Sequence, residues 1–124
     1  MKLRTRKLST ILRSAAGLLI AIIVASSPAT SQDVAAGAEI FKSKCVVCHG
    51  PDGSGNTSVG KSLKVADLRS AEIQKKSDAE LTQSISDGKN NMPGFKGDLS
   101  DDDIHTVLSY VRTLAAKGAA PKKK

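Results

Sequence analysis

Five consecutive residues concentrate the chemistry of this chain: Cys45-Val46-Val47-Cys48-His49. Two thiols three positions apart, with an imidazole directly after the second, form the C-x-x-C-H pattern of c-type haem attachment. The spacing has a physical basis. Two Cys near a helix end can reach the two vinyl groups on one edge of a haem and form thioethers with them. The adjacent His then lies under the iron and offers a ring nitrogen as the proximal ligand. Two other uses of these residues fit poorly. A redox-active C-x-x-C disulfide belongs in a βαβ context, and no convincing strand is legible here. Structural zinc needs four ligands, and His105 is the one further His or Cys.

A second residue extends the pattern. Apart from Met1, Met92 is the single methionine, and it lies 43 residues beyond His49 in Asn90-Asn91-Met92-Pro93-Gly94. Met ordinarily fills gaps in a packed interior. Beside a Pro in a Gly-rich loop it is badly placed for that, and well placed to bring a thioether to the open face of an iron. His/Met ligation leaves no position for a substrate and raises the reduction potential relative to two His ligands. The expected activity is one-electron transfer and not catalysis. An enzyme or a gas-binding haem protein would need Met92 off the iron. His105 is the competing axial candidate. It flanks an apolar helical stripe and is expected at the surface.

Helices must position these groups. Asp33 can cap a helix from about Val34 into Cys48. Gly37 sits within it, at a cost of about 1 kcal/mol relative to Ala, which suggests close approach by another element. Residues 50–66 hold four Gly and a Pro and read as loop. A short helix is expected at 70–76. Ser77 and Glu80 form a capping-box pattern that opens a helix to about Ser86. Residues 87–97 read as a second loop. Ser100 can cap the last helix, with Asp101, Asp102 and Asp103 at its positive end. Ile104, Val107, Leu108, Val111 and Leu114 recur there at helical spacing, and Gly118 ends it.

The charge is misleading at first sight. The chain has 124 residues, 19 Lys plus Arg, 12 Asp plus Glu and a formal charge of +7. Five cations and no acid fall in residues 1–31, around an apolar run of 11 residues at 15–25 and a following small-residue stretch. That is the pattern of a secretory signal peptide. A spanning helix wants about 20 apolar residues. Cleavage could follow Ala29 or Ser31, and an uncleaved anchor is the alternative. Residues 32–116 carry a net charge of −2, and four Lys cluster in 117–124, a segment expected to be disordered. The basic character thus belongs to a leader and a tail, which removes the case for a nucleic-acid binder. Three aromatics and no Trp make a poor core for the 93 residues that follow the leader, so folding should depend on the cofactor.

One motif is a decoy. Residues 55–62 fit G-x-x-x-x-G-K-[ST] letter by letter. A phosphate-binding loop needs a buried strand before it, and Cys48-His49-Gly50-Pro51-Asp52-Gly53-Ser54 cannot be one. No nucleotide is expected. The better reading is a Gly-rich loop folded along the haem edge.

Taken together, these residues resemble class I cytochromes c. Gly37, Phe41 and Cys45 match the Gly-x-x-x-Phe-x-x-x-Cys of that family's first helix. The resemblance implies that Gly37 and Phe41 pack against Val107 and Tyr110 of the last helix. Residues 88–95, Gly88-Lys89-Asn90-Asn91-Met92-Pro93-Gly94-Phe95, are similar to the distal-ligand loop of the photosynthetic, plastocyanin-replacing branch. Small bacterial carriers that feed terminal oxidases share the pattern. The chain lacks the Trp that contacts a propionate in mitochondrial relatives, and its sequence names no carbonyl to orient His49. The expected fold is all-α, three to five short helices around one covalent haem c, with the first and last helices packed together. The expected domains are a leader at 1–31, a monohaem domain at 32–116 and a tail at 117–124. Cys45 and Cys48 would hold the haem, and His49 and Met92 the iron. The expected protein is an exported, periplasmic, monomeric carrier between redox protein partners. The alternative is a cytochrome subunit or anchored domain of an oxidase or dehydrogenase.

Overall fold

The computed structural model describes residues 30–118. Seven helical segments follow one another: α1 Ser31–Lys44, α2 Val46–His49, α3 Ser58–Leu63, α4 Ala71–Gln74, α5 Asp78–Asp87, α6 Asp101–Thr113 and α7 Ala115–Gly118. Three of them have ten or more residues; the rest have six or fewer. The fold is all-α, and the short turns account for the excess over the expected three to five helices. Among the described residues no strand forms.

Side-chain caps start the long helices. Ser77 accepts from the Glu80 amide and Ser100 from the Asp103 amide, and each acid reaches back to its cap's backbone. α1 starts earlier than the sequence suggests. Thr30 is its N-cap, and Asp33 is the reciprocal partner three residues on. Most of the expected leader, 1–29, lies outside the described residues. Lys117 and Gly118, expected in a disordered tail, belong to α7, where the Lys117 Nζ sits 5.8 Å from the centre of the Tyr110 ring.

The core forms where α1 crosses α6, the most extensive helix contact in the fold. Phe41, Ile104, Val107, Leu108, Val111 and Leu114 are buried there, with Leu81 from α5. The Phe41 and Tyr110 rings stand 5.2 Å apart and are tilted by 54°, a favourable geometry for aromatic pairs. Arg112 ties the turn before α5 to α6, donating to the Gln74 and Lys76 carbonyls at 2.8 and 2.7 Å.

The single helix expected through Cys48 is broken at Cys45 (φ −113°), where α1 ends and α2 begins. The break turns α2 toward α3, whose Thr57 cap and Gly60 meet the Val47 and Cys48 carbonyls. Residues 50–66 are not all loop either, since α3 lies within them. Its Thr57 cap accepts from the Gly60 amide at 2.8 Å and donates to the Val47 carbonyl at 2.9 Å. A Cβ on Gly60 would collide with the Cys48 and Gly55 carbonyls. This glycine is a contact point between α3 and α2, and the helix runs through it.

Candidate functional site

A cavity of about 320 Å³ opens beside the α1–α6 core, a size suited to a cofactor. Cys45 and His49 line it from the α1–α2 corner, and Met92, Phe95 and Leu99 from the loop between α5 and α6. Phe41, Leu81, Ile85, Val107, Leu108 and Val111 supply further apolar wall. Five of the seven buried hydrophobic residues among those described thus face this space. Three of the four residues with expected haem or iron roles line the one cavity. Cys48 is half-buried and does not line it. Of the helix-packing set, Phe41 and Val107 line the cavity, while Gly37 and Tyr110 meet at the α1–α6 crossing behind it.

His49 is buried at 8% exposure, and its Nδ1 is buried without a hydrogen-bond partner. Burial holds its pKa below the ordinary imidazole value, and the Ala66 backbone carbonyl pulls the other way without offsetting it. A neutral ring in an apolar wall is the form that ligates a metal. The Ala66 carbonyl is a neighbour of the ring that sequence reading could not name. Its stretch is braced by hydrogen bonds from Val65 to the Gly60 carbonyl at 3.0 Å and from Leu68 to the Gly53 carbonyl at 2.9 Å. Arg69 pins the same region, with Nε 2.9 Å from Asp67 and Nη1 3.1 Å from Asp52. The Cys45 thiol is pushed up to about 11 by burial, with the neighbouring Cys48 adding to it. Both thiols are free.

Met92 is half-buried on a tight reverse turn. Its amide donates to the Lys89 carbonyl at 2.9 Å, and its carbonyl accepts from the Lys89 amide at 3.0 Å. Gly88 (φ +82°) has no room for a side chain, since a Cβ would stand 2.7 Å from the Met92 carbonyl oxygen. Beyond the turn, Phe95 and Lys96 donate back to the Ile85 and Ser86 carbonyls of α5, each at 3.0 Å. His105 is exposed and lies in a separate pocket with Asp78, Leu108, Ser109 and Arg112, apart from Met92. The residues of the phosphate-loop decoy form α3 and the turn before it, with no strand ahead of them.

The residues fit a haem. The wall is apolar, a thiol and an imidazole with an unpartnered buried nitrogen stand on it, and a thioether lines the same space.

Comparisons with known proteins agree with this geometry. Residues 32–111 match the family model described as cytochrome C oxidase, cbb3-type, subunit III. Cytochrome c6 of Thermosynechococcus vestitus is 37% identical over 109 residues, which is 86% of this chain and 94% of that one. Cytochrome c6 of Limnospira maxima is 42% identical over 91 residues, covering 69% and 98%. The solved structure of the KustC0563 c-type cytochrome superposes with a TM-score of 0.59 at 30% identity, over 63% of this chain and 95% of that one. The chain belongs to the cytochrome c family, as a small monohaem class I member with covalently bound haem c. It is an electron-transfer protein.

Proposed function

We propose that this protein is an exported one-electron carrier in which Cys45 and Cys48 bear the haem thioethers and His49 and Met92 the iron. The observation that carries this reading is that Cys45, His49 and Met92 line one apolar cavity. Bound haem supplies a one-electron Fe(II)/Fe(III) couple. The chain's own residues do the rest. His49, kept neutral by burial, presents a ring nitrogen. The Ala66 carbonyl acts on the ring from the backbone, the place from which outer groups commonly orient a metal-bound His. The Met92 turn, closed on both sides by backbone hydrogen bonds, holds the thioether through changes of charge. Phe41, Leu81, Val107, Leu108 and Val111 keep water out.

Electrons leave through the corner where α2 meets α3. The exposed large hydrophobics Val47, Val59 and Leu63 all lie there, and Lys61 and Lys64 are exposed beside them. The occupant is a redox partner with an acidic docking face, because this corner's acid, Asp52, is already bound to Arg69. Export rests on residues 1–31. Cleavage after Ala29 would keep the Thr30 cap of α1, and cleavage after Ser31 would remove it. N-terminal sequencing of the mature protein decides between these and a retained anchor.

The experiment is absorption spectroscopy of the purified protein. The reduced form should show a sharp low-spin c-type alpha band, and the ferric form a Met-to-iron charge-transfer band at the red end. Absence of the first sinks the haem assignment; absence of the second removes Met92 from the iron. A second reading, a subunit of an oxidase complex, is favoured by the description of the matching family model. Among the described residues no helix is long and apolar enough to cross a membrane. Co-purification with a membrane complex would support that reading.

A further inference from the structure

The loop that carries Met92 is tied to α5 on one side, as described. On its other side it is tied to α3. Asn91 Nδ2 donates to the Leu63 carbonyl oxygen at 3.3 Å, across 28 positions of sequence. Leu63 is the last residue of α3, so its carbonyl has no partner in the helix's own ladder. Leu63 and Asn91 both line the cavity.

The backbone at both ends of this bond is special. The non-glycine residues with positive φ among those described are Lys64 (φ 52°) and Asn90 (φ 54°). One directly follows Leu63 and the other directly precedes Asn91. Asn tolerates the left-handed region; Lys does so only where surrounding structure holds it. The left-handed turn at Lys64 ends α3 and leaves the Leu63 carbonyl at the cavity rim. The one at Asn90 helps set the reverse turn that places Asn91 at its tip, next to Met92. Two uncommon backbone states thus flank one side-chain hydrogen bond that joins the His49 half of the cavity to the Met92 half.

We propose that Asn91 is a positioning residue: its amide clamps the Met92 turn to the C-terminus of α3 and keeps the thioether at the iron. This rests on Met92 being the distal ligand. Loss of the clamp leaves the turn tethered from α5 alone, so the fraction of molecules with the sulfur swung away rises. An outside ligand then binds more tightly in apparent terms, in proportion to that open fraction.

The test uses the ferric holoprotein with imidazole as probe, reading the charge-transfer band. In Asn91→Ala and Asn91→Asp, half-loss of the band should need about two- to tenfold less imidazole than in the wild type, the range one hydrogen bond supplies. A carboxylate at 91 cannot donate to a carbonyl, so Asp should match Ala despite its size. Asn91→Gln, which keeps the donor, should fall between them and the wild type. The midpoint potential should order the variants the same way. A wild-type imidazole midpoint in both Ala and Asp overturns the proposal, as does a fall matched by Gln. If Ala does not fold, the contrast between Asp and Gln decides it. The underlying reading fails separately: a wild type with no charge-transfer band removes Met92 as ligand whatever the variants do.

Discussion

Gly37 of α1 lies against the Thr106 carbonyl of α6 with no room for a methyl group between them. A Cβ there would overlap the carbonyl oxygen and stand 3.0 Å from the Tyr110 Cβ. Gly37→Ala gains about 1 kcal/mol of helix propensity. Overpacking against backbone costs typically about 1–3 kcal/mol, and Thr106 sits in the middle of a hydrogen-bonded helix that cannot yield cheaply. The expected net effect is destabilisation of up to about 2 kcal/mol, read from denaturant unfolding of the holoprotein. Gly37→Ser should be worse.

Met92→Ala should keep the c-type alpha band, because the thioethers and His49 are untouched. It should lose the ferric charge-transfer band and lower the midpoint potential, since thioether ligation raises it. Unchanged potentiometry in this variant would count against Met92 as ligand.

Haem attachment should govern folding. Burying a Val, Leu or Phe fully contributes roughly 1.5–3 kcal/mol. Five such residues face the cavity, so uncovering them removes an amount comparable with the whole stability of a small domain, about 5–15 kcal/mol. The double variant Cys45→Ala, Cys48→Ala without haem should be largely unfolded by circular dichroism and one-dimensional NMR. A cooperative thermal transition in the haem-free chain would contradict this.

The α2–α3 corner should steer its partner by charge. Lys61→Glu together with Lys64→Glu should slow electron transfer to a wild-type partner by about tenfold at low ionic strength. The deficit should shrink as salt rises and the Debye length falls toward about 3 Å near 1 M. Stopped-flow rates across a salt series check this, and an effect independent of salt would point to a different docking face.

Acid stability should depend on the two serine caps. Hydrogen bonds from Ser77 hold the Glu80 carboxyl below its ordinary value, and those from Ser100 do the same for Asp103. Groups with a lowered folded pKa stabilise above their unfolded pKa, and that contribution is lost as pH falls through the folded one. Ser77→Ala and Ser100→Ala should therefore lower stability at neutral pH and flatten its decline in acid. Unfolding midpoints from pH 7 to pH 2, compared between wild type and variants, measure both effects.

Much of this was legible in order along the chain. The thiols and His49 are adjacent, so their joint chemistry is written in five letters. Met92 was conspicuous because its neighbours suit a loop and not a core. Ser77 with Glu80 and Ser100 with Asp103 cap their helices within four residues, and the stripe from Ile104 to Leu114 repeats at helical period. These are local facts, and local sequence states them. What the tertiary structure alone decided is carried by backbone and by distance. Gly60 reads as a helix breaker in sequence, yet it is inside α3 because the carbonyls of Cys48 and Gly55 leave no space for a side chain. The break at Cys45 follows from how α2 turns to meet α3. The carbonyls of Ala66 and Leu63 are groups every residue owns, so no letter marks them. They come against His49 and Asn91 only when folding brings residues 17 and 28 positions apart to the walls of one cavity.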